Sequence, residues 1–446
     1  MKKFLISILA LFLSTTVCNA ESINKVLNKS GINQSAVSIS LKDVNSGKTL
    51  YEHNAQKPLN PASTLKVVTL AASLNELGED YNFETVLYKN TNNELILKLS
   101  ADPFLTAYHL RRMLRTAKSK NIYEPKAFII DESIIDNTEW GEGWQWDDDL
   151  NPLMPKFSAY NLDGNLLTLV IDPTRKGTPA DLQLTVFYPT TFVNQVVTGD
   201  TTKINLNRNN SIAPDVLNVE GTVCARHQIS FPVNFPKRYF IIQLEDAIRS
   251  AKIGYYNKIT FGKTPDKNIY VVDKVTTPIT SAISSILKDS NNLVAETVFK
   301  IAGGKYSNST GTTADAIKMA ELYLQKLGVN TDDIRIVDGS GVSKNNLVTA
   351  DFMTDFLIAQ NKANPKYKDY FSSAGQGTLR NRMLYFGDNL KAKTGTLADV
   401  SSITGYITTL NGKTLAFDII INDAKSKPSE KKMLEEYILR AIQTLY

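Results

Sequence analysis

The pattern of apolar and polar positions divides this chain into segments before any motif is considered. Phe4 to Leu13 is almost wholly apolar behind Lys2 and Lys3, and Val17-Cys18-Asn19-Ala20 closes with small residues at the positions a signal peptidase reads. A cleavable export leader over 1–20, cut after Ala20, is expected. Val17 and Thr15 stand where a lipoprotein signal needs a small residue and Leu. Beyond the leader, Ala36 to Leu41 alternates with period two, Asn45-Ser46-Gly47 turns, and Thr49-Leu50-Tyr51 returns, which predicts a hairpin. Asn60-Pro61-Ala62 then leads into Leu65, Val68, Leu70, Ala71, Leu74 and Leu77, a helical stripe that stops at Gly78.

The far end mirrors this start. Ser401 to Leu410, Asn411-Gly412 and Lys413 to Asn422 predict a second hairpin. Leu434, Tyr437, Ile438, Ala441, Ile442 and Leu445 follow at helical spacing, as in a packed closing helix. Helical patterns also fill the stretch from about Thr280 to Gln360. The middle differs, with short strand-like runs at Glu94–Leu99, Leu166–Ile171, Leu182–Tyr188 and Tyr239–Leu244. The expected layout is one helix-and-sheet domain built from both chain ends, 21–83 and 263–446. A β-rich insertion over 84–262, read as two nested domains, interrupts it.

Composition narrows the choices. Formal net charge is +5, and loss of the leader with Lys2 and Lys3 brings it to +3. That is too little for a polyanion-binding surface, so no nucleic-acid partner is expected. Cys18 leaves with the leader, so Cys224 is the single cysteine of the exported chain and no internal disulfide is expected. No later run reaches the roughly 18 apolar residues of a membrane span.

Three short strings carry the chemistry: Ser63-Thr64-Leu65-Lys66, Ser290-Asn291-Asn292 and Lys393-Thr394-Gly395. In this order they spell S-x-x-K, S-x-N and K-T-G. Acyl transfer needs a nucleophile, a group to take its proton, and donors for the oxyanion. Ser63 opens a helix, where free N–H groups and the helix dipole favour developing negative charge. Lys66 lies one turn on, so it shares the face of Ser63. To act as a base it must be neutral. Lowering a lysine from about 10.4 to about 7 costs roughly 4.6 kcal/mol, which burial and a second cation, Lys393, are expected to supply. Ser290 taken alone reads as an N-cap. Lys393 and Thr394 on a strand could hold a carboxylate, and Gly395 would let a ligand backbone come close. A Ser-His-Asp arrangement is poorly supplied: only His53, His109 and His227 exist, and no G-x-S-x-G elbow is present. Asp338-Gly339-Ser340-Gly341 reads as a tight loop.

With these strings in place, the chain resembles the class C low-molecular-mass penicillin-binding proteins, the serine D-Ala-D-Ala carboxypeptidases and endopeptidases of peptidoglycan. The resemblance spans nearly the whole exported chain. It includes Ala101-Asp102-Pro103-Phe104-Leu105-Thr106, Gly143-Trp144-Gln145-Trp146-Asp147-Asp148, Asp338 to Ser343, and Gly377-Thr378-Leu379 with Arg382. It implies an α+β transpeptidase-like domain of the penicillin-binding-protein and β-lactamase type, with an antiparallel sheet, helices and inserted domains. By the same resemblance Ser63 is the nucleophile and Lys66 its base. Ser290 and Asn292 line the site, with Ser290 shuttling a proton, and Lys393 and Thr394 hold the terminal carboxylate. The N–H groups of Ser63 and Thr396 form the oxyanion hole. Asp148 meets the free amine of the peptide stem, while Trp140, Trp144 and Trp146 read otherwise as structural. Ala101, where relatives carry glycine, and Ala398 are departures.

The expectation is a periplasmic serine peptidase acting on peptidoglycan stem peptides, acylated by β-lactams and needing no metal or cofactor. The rival expectations are a β-lactamase on the same architecture and a non-catalytic wall-binding or sensor protein. Oligomeric state is left open.

Overall fold

The computed structural model describes residues 22–208, 215–254 and 259–446. The expected leader, its cleavage point and Cys18 lie outside the described residues. Both chain ends meet in one six-stranded antiparallel sheet, ordered Ser372–Ser373, Leu390–Thr396, Val400–Thr408, Thr414–Asn422, Val37–Asp43, Thr49–His53. The two predicted hairpins supply four of its strands, with Thr49–His53 at one edge. Val37 pairs with Ile421 and Asp43 with Leu415, so the first hairpin adds directly to the last.

Alternation along these strands sends side chains to two cores. On one face Ile39, Leu41, Ile403, Ile407, Ile419 and Ile421 pack with Ile23 and Leu27 of the helix Ile23–Lys29. Leu434, Ile438 and Ile442 of the closing helix Pro428–Leu445 complete that core. Tyr437 and Leu445, counted in the predicted stripe, are exposed. On the other face Tyr406, Ala416 and Ile420 join the helical layer. At its centre runs the helix Lys66–Leu77, buried at every position but Asn75 and Glu76. It packs against Asn292–Ser307 and Thr313–Lys326. A helix apolar all round is a core helix, and this one begins beside Ser63.

The insertion leaves after Leu77. A five-stranded mixed sheet, ordered Ile259–Phe261, Phe128–Asp131, Leu95–Lys98, Asn82–Asn90, Ile269–Pro278, forms its body, with helices Ala107–Ser119 and Pro236–Ser250. The long strand Ile269–Pro278 pairs with Asn82–Asn90 along its length, so the insertion's sheet runs past the expected border at 262. Nested within are two three-stranded sheets. Their entry and exit are neighbours, because Leu166 pairs with Pro232.

One expected strand is a helix. Tyr239–Leu244 lies inside Pro236–Ser250, with Tyr239, Phe240, Gln243, Leu244, Ala247 and Ile248 buried. The β-favouring letters Tyr-Phe-Ile-Ile looked like a strand in a short window. Over fifteen residues the burial period is helical, and Pro236 starts the first turn. No helix among the described residues is long and apolar enough to cross a membrane.

Candidate active site

Ser63 sits in a single 3-10 turn, Ala62–Leu65, that feeds the central helix. The entry is strained. Ala62 has φ +48°, a left-handed conformation unusual for a residue with a side chain. Two features hold it. The Ala62 N–H donates to Asn60 Oδ1 at 2.9 Å, while Asn60 Nδ2 reaches the Ser343 carbonyl at 3.0 Å. Gly341, itself at φ +77°, packs so closely that a Cβ there would fall 2.0 Å from the Ala62 carbonyl oxygen.

Lys66 is fully buried. Its Nζ contacts three oxygens: Ser63 Oγ at 2.9 Å, Asn292 Oδ1 at 2.7 Å and the Ser340 carbonyl at 2.6 Å. Burial pushes its pKa down to about 7, against the pull of the Asp338 and Glu296 carboxylates. The sequence argument gave part of this work to Lys393. Burial, the other expected cause, is the larger, and Lys393 is likewise held well below its ordinary value by its own burial and by Lys66.

The second string opens the helix Asn292–Ser307, but its cap is not Ser290. Asn291 Oδ1 accepts the Val294 N–H at 3.1 Å. Ser290, at φ +61°, is thereby free to accept a hydrogen bond from Lys393 Nζ at 2.8 Å. Lys393 also donates to the Thr394 carbonyl at 2.6 Å. Thr394 Oγ1 donates to Thr378 Oγ1 at 2.7 Å.

Strand Leu390–Thr396 pairs with Ser372–Ser373 only at Ala392 and Lys391, so Lys393 to Thr396 lie beyond that pairing. Gly395 permits a close approach, and the backbone that approaches is the protein's own. A Cβ there would meet Pro61 O at 2.7 Å and Ser63 N at 3.0 Å. Thr396 follows, exposed, at the strand's end.

The segment of the insertion from Trp140 to Phe157 reaches this site. The Leu153 carbonyl accepts Asn292 Nδ2 at 2.8 Å, and Trp144 Nε1 donates to Asp338 Oδ2 at 2.9 Å. Trp144, Met154 and Phe157 pack with Leu293 and Val342, with Trp140 alongside. Asp148 rides on the same segment, half-buried, accepting Asn151 Nδ2 at 3.4 Å. Trp146 departs from the structural expectation for the tryptophans, since it is 80% exposed.

Several residues around the site carried no role in the sequence reading. Glu296 is fully buried and accepts N–H groups of Gly339 (3.1 Å) and Ser340 (2.8 Å). Burial and Asp338 raise its pKa to about 7. Asp338 accepts the N–H groups of Gly341 and Ser343 and Asn346 Nδ2, besides Trp144. The Asp338–Gly341 loop is therefore bracketed by two carboxylates, and its Ser340 carbonyl faces Lys66. Glu296 stands four residues after Asn292, one helical turn on, a signal the sequence did offer. Thr378 and Trp144 are joined to the site only by the fold.

Of the other singled-out residues, His53 is on the edge strand, 3.0 Å from the Gln34 carbonyl. Cys224 is exposed in the bend between strands Val216–Val223 and His227–Pro232 of the nested sheets.

Compared with known proteins, residues 19–440 match the D-Ala-D-Ala carboxypeptidase 3 (S13) family. The chain is 24% identical over 426 residues to D-alanyl-D-alanine carboxypeptidase DacB of Haemophilus influenzae, covering 91% of this chain and 89% of that one. It is 26% identical over 447 residues to a D-alanyl-D-alanine carboxypeptidase of an Actinomadura species, covering 92% and 81%. The crystal structure of penicillin binding protein 4 from Haemophilus influenzae superposes with a TM-score of 0.84 at 23% identity, over 95% of this chain and 100% of that chain. That likeness establishes the fold.

Proposed function

The chain belongs to the D-Ala-D-Ala carboxypeptidase 3 (S13) family, and from that premise we propose a periplasmic serine peptidase that cleaves peptidoglycan stem peptides through an acyl-enzyme on Ser63. One observation carries the reading. Lys66 Nζ lies 2.9 Å from Ser63 Oγ, and its other two contacts are acceptors. As a neutral amine Lys66 has two N–H bonds, which Asn292 Oδ1 and Ser340 O claim. Its lone pair is left facing the serine hydroxyl. Ser63 Oγ attacks the carbonyl of the penultimate D-Ala as Lys66 takes its proton. The oxyanion faces the N–H groups of Ser63 and Thr396. The proton passes by way of Ser290 to the departing amine, and water then hydrolyses the ester with Lys66 again as base.

Lys393 and Thr394 receive the terminal carboxylate, whose charge restores a reason for Lys393 to be protonated. Gly395 keeps the strand against Ser63. A β-lactam acylates Ser63 by the same attack. Asp148, on the same segment of the insertion as Trp144 and Leu153, is assigned to the side-chain ammonium of a diamino-acid stem, which would let D-Ala-to-diamino-acid crosslinks be cut as well as terminal D-Ala. A β-lactamase reading needs a base for the deacylating water. The buried carboxylates near Lys66, Glu296 and Asp338, are both taken up by N–H donors and neither is left to activate water, which favours the peptidase.

Incubation of the mature protein with purified muropeptides, followed by mass analysis, tests this. Loss of one terminal D-Ala is expected, and conversion of crosslinked dimers to monomers would add the endopeptidase activity. Unchanged muropeptides would contradict the proposal.

A further inference from the structure

We infer that the inserted segment from Trp140 to Phe157 is a positioning device for the general base, acting on Lys66 through two separate hydrogen-bond ties. The inference rests on Lys66 being that base. The first tie starts at Trp144, whose indole N–H donates to Asp338 Oδ2 at 2.9 Å with both groups buried. Asp338 holds the loop through Gly341 N at 2.8 Å and Ser343 N at 2.7 Å, and that loop delivers the Ser340 carbonyl to Lys66. The second tie is the Leu153 carbonyl. It accepts Asn292 Nδ2 at 2.8 Å, which orients the amide so that its Oδ1 faces Lys66 at 2.7 Å. Asn151 shapes this turn, its Oδ1 accepting the Leu153 N–H at 3.0 Å.

Both acceptors that turn the Lys66 lone pair toward Ser63 are thus tied to one stretch of the insertion. Glu296 holds the Ser340 loop from the other side through the Gly339 and Ser340 N–H groups, and the insertion supplies the remaining ties. The geometry also links the segment to charge. The charged groups bearing on Lys66 are Asp338 and Glu296, which favour its protonated form, and Lys393, which its own burial and the repulsion with Lys66 hold well below its ordinary value. An indole N–H on Asp338 offsets part of that carboxylate's pull. Its removal leaves more of the pull on Lys66 and loosens the Ser340 carbonyl.

The test compares the pH dependence of acylation by a fluorescent penicillin in wild type, Trp144→Phe and Asn151→Ala. Phenylalanine keeps a ring against Trp140 and Phe157 but has no donor. At pH 7, Trp144→Phe is expected to acylate about tenfold more slowly, the effect of one hydrogen bond to a charged group. The acid limb of its profile is expected to move to higher pH. Asn151→Ala, on a half-buried turn, is expected to slow acylation by a few-fold with an unchanged melting temperature; it decides the matter if Trp144→Phe fails to fold. Label stoichiometry at saturation counts the folded sites. Profiles that superimpose on wild type, or rates that fall only as the number of folded sites falls, overturn the inference. A wild type that takes no label would instead remove the underlying reading of Ser63 and Lys66.

Discussion

The catalytic centre and the surface of the insertion hold their lysines in opposite ways. In the insertion, Lys176 pairs with Asp200, and Lys274 pairs with Glu84, on open surface. Such pairs contribute little and cost little. In the body, Lys66 and Lys393 are both fully buried, and among the described residues neither touches a carboxylate. Their Nζ atoms contact hydroxyl, amide and carbonyl oxygens instead. A buried lysine without a counter-ion is a cost to folding. It is retained where a lowered pKa is useful. Left-handed backbone occurs in both regions, Ala101 of the insertion included, but at the site Ala62 and Ser290 use it to place their neighbours. The body carries stored cost for chemistry, and the insertion contributes shape and two ties.

The sharpest way to break this comparison is Lys66→Arg. Arginine stays charged, so acylation should fall by about 10²–10⁴-fold, the usual worth of general-base help. The wild-type rate should itself fall as pH drops through about 7, because Lys66 then binds a proton and loses its lone pair. Stopped-flow measurement with a chromogenic β-lactam checks both. Wild-type speed in Lys66→Arg would mean that the buried lysine is structural.

Lys393→Ala probes the second buried lysine. It should lose roughly 10- to 100-fold more activity on a D-Ala-D-Ala peptide than on the same peptide amidated at its C-terminus, since a charge-assisted contact is worth about 1.5–3 kcal/mol. Equal losses on both peptides would detach Lys393 from carboxylate binding.

On the insertion side, Asp148→Ala should slow cleavage of diaminopimelate-containing peptides by several-fold while penicillin acylation stays near wild type, because penicillin lacks the amine. Equal peptide rates in wild type and variant would return Asp148 to the surface.

The smallest effect is expected at Ala101, which stands at φ +54°, buried, a departure from the glycine that the family resemblance implies there. Its carbonyl accepts Asn161 Nδ2 at 2.9 Å. The departure is one of backbone conformation, so Ala101→Gly should relieve strain and stabilise the fold by about 1 kcal/mol or less, with activity unchanged. A lower melting temperature would show that the methyl group packs usefully.

What the sequence disclosed follows from distance along the chain. The hairpins, the helix behind Ser63 and the closing helix were legible because their signals are local and periodic. Tyr239–Leu244 misled because six residues that open with four β-favouring ones cannot show a helical period that needs a longer window. At the site, S-x-x-K was legible because one helical turn joins its two residues. The separation of Ser290 from the cap was not, since Asn291 and Ser290 are equally good caps on paper. The ties from Trp144 and Leu153 cross 194 and 139 positions, and only the folded insertion reveals them.

The central claim is that Ser63 is the nucleophile of an acyl-enzyme. Intact-mass analysis of wild type and Ser63→Ala, each incubated with a penicillin, tests it most directly. The account predicts that wild type gains the mass of one penicillin and that Ser63→Ala gains nothing. An adduct that persists on the alanine variant, or none on the folded wild type, would contradict it.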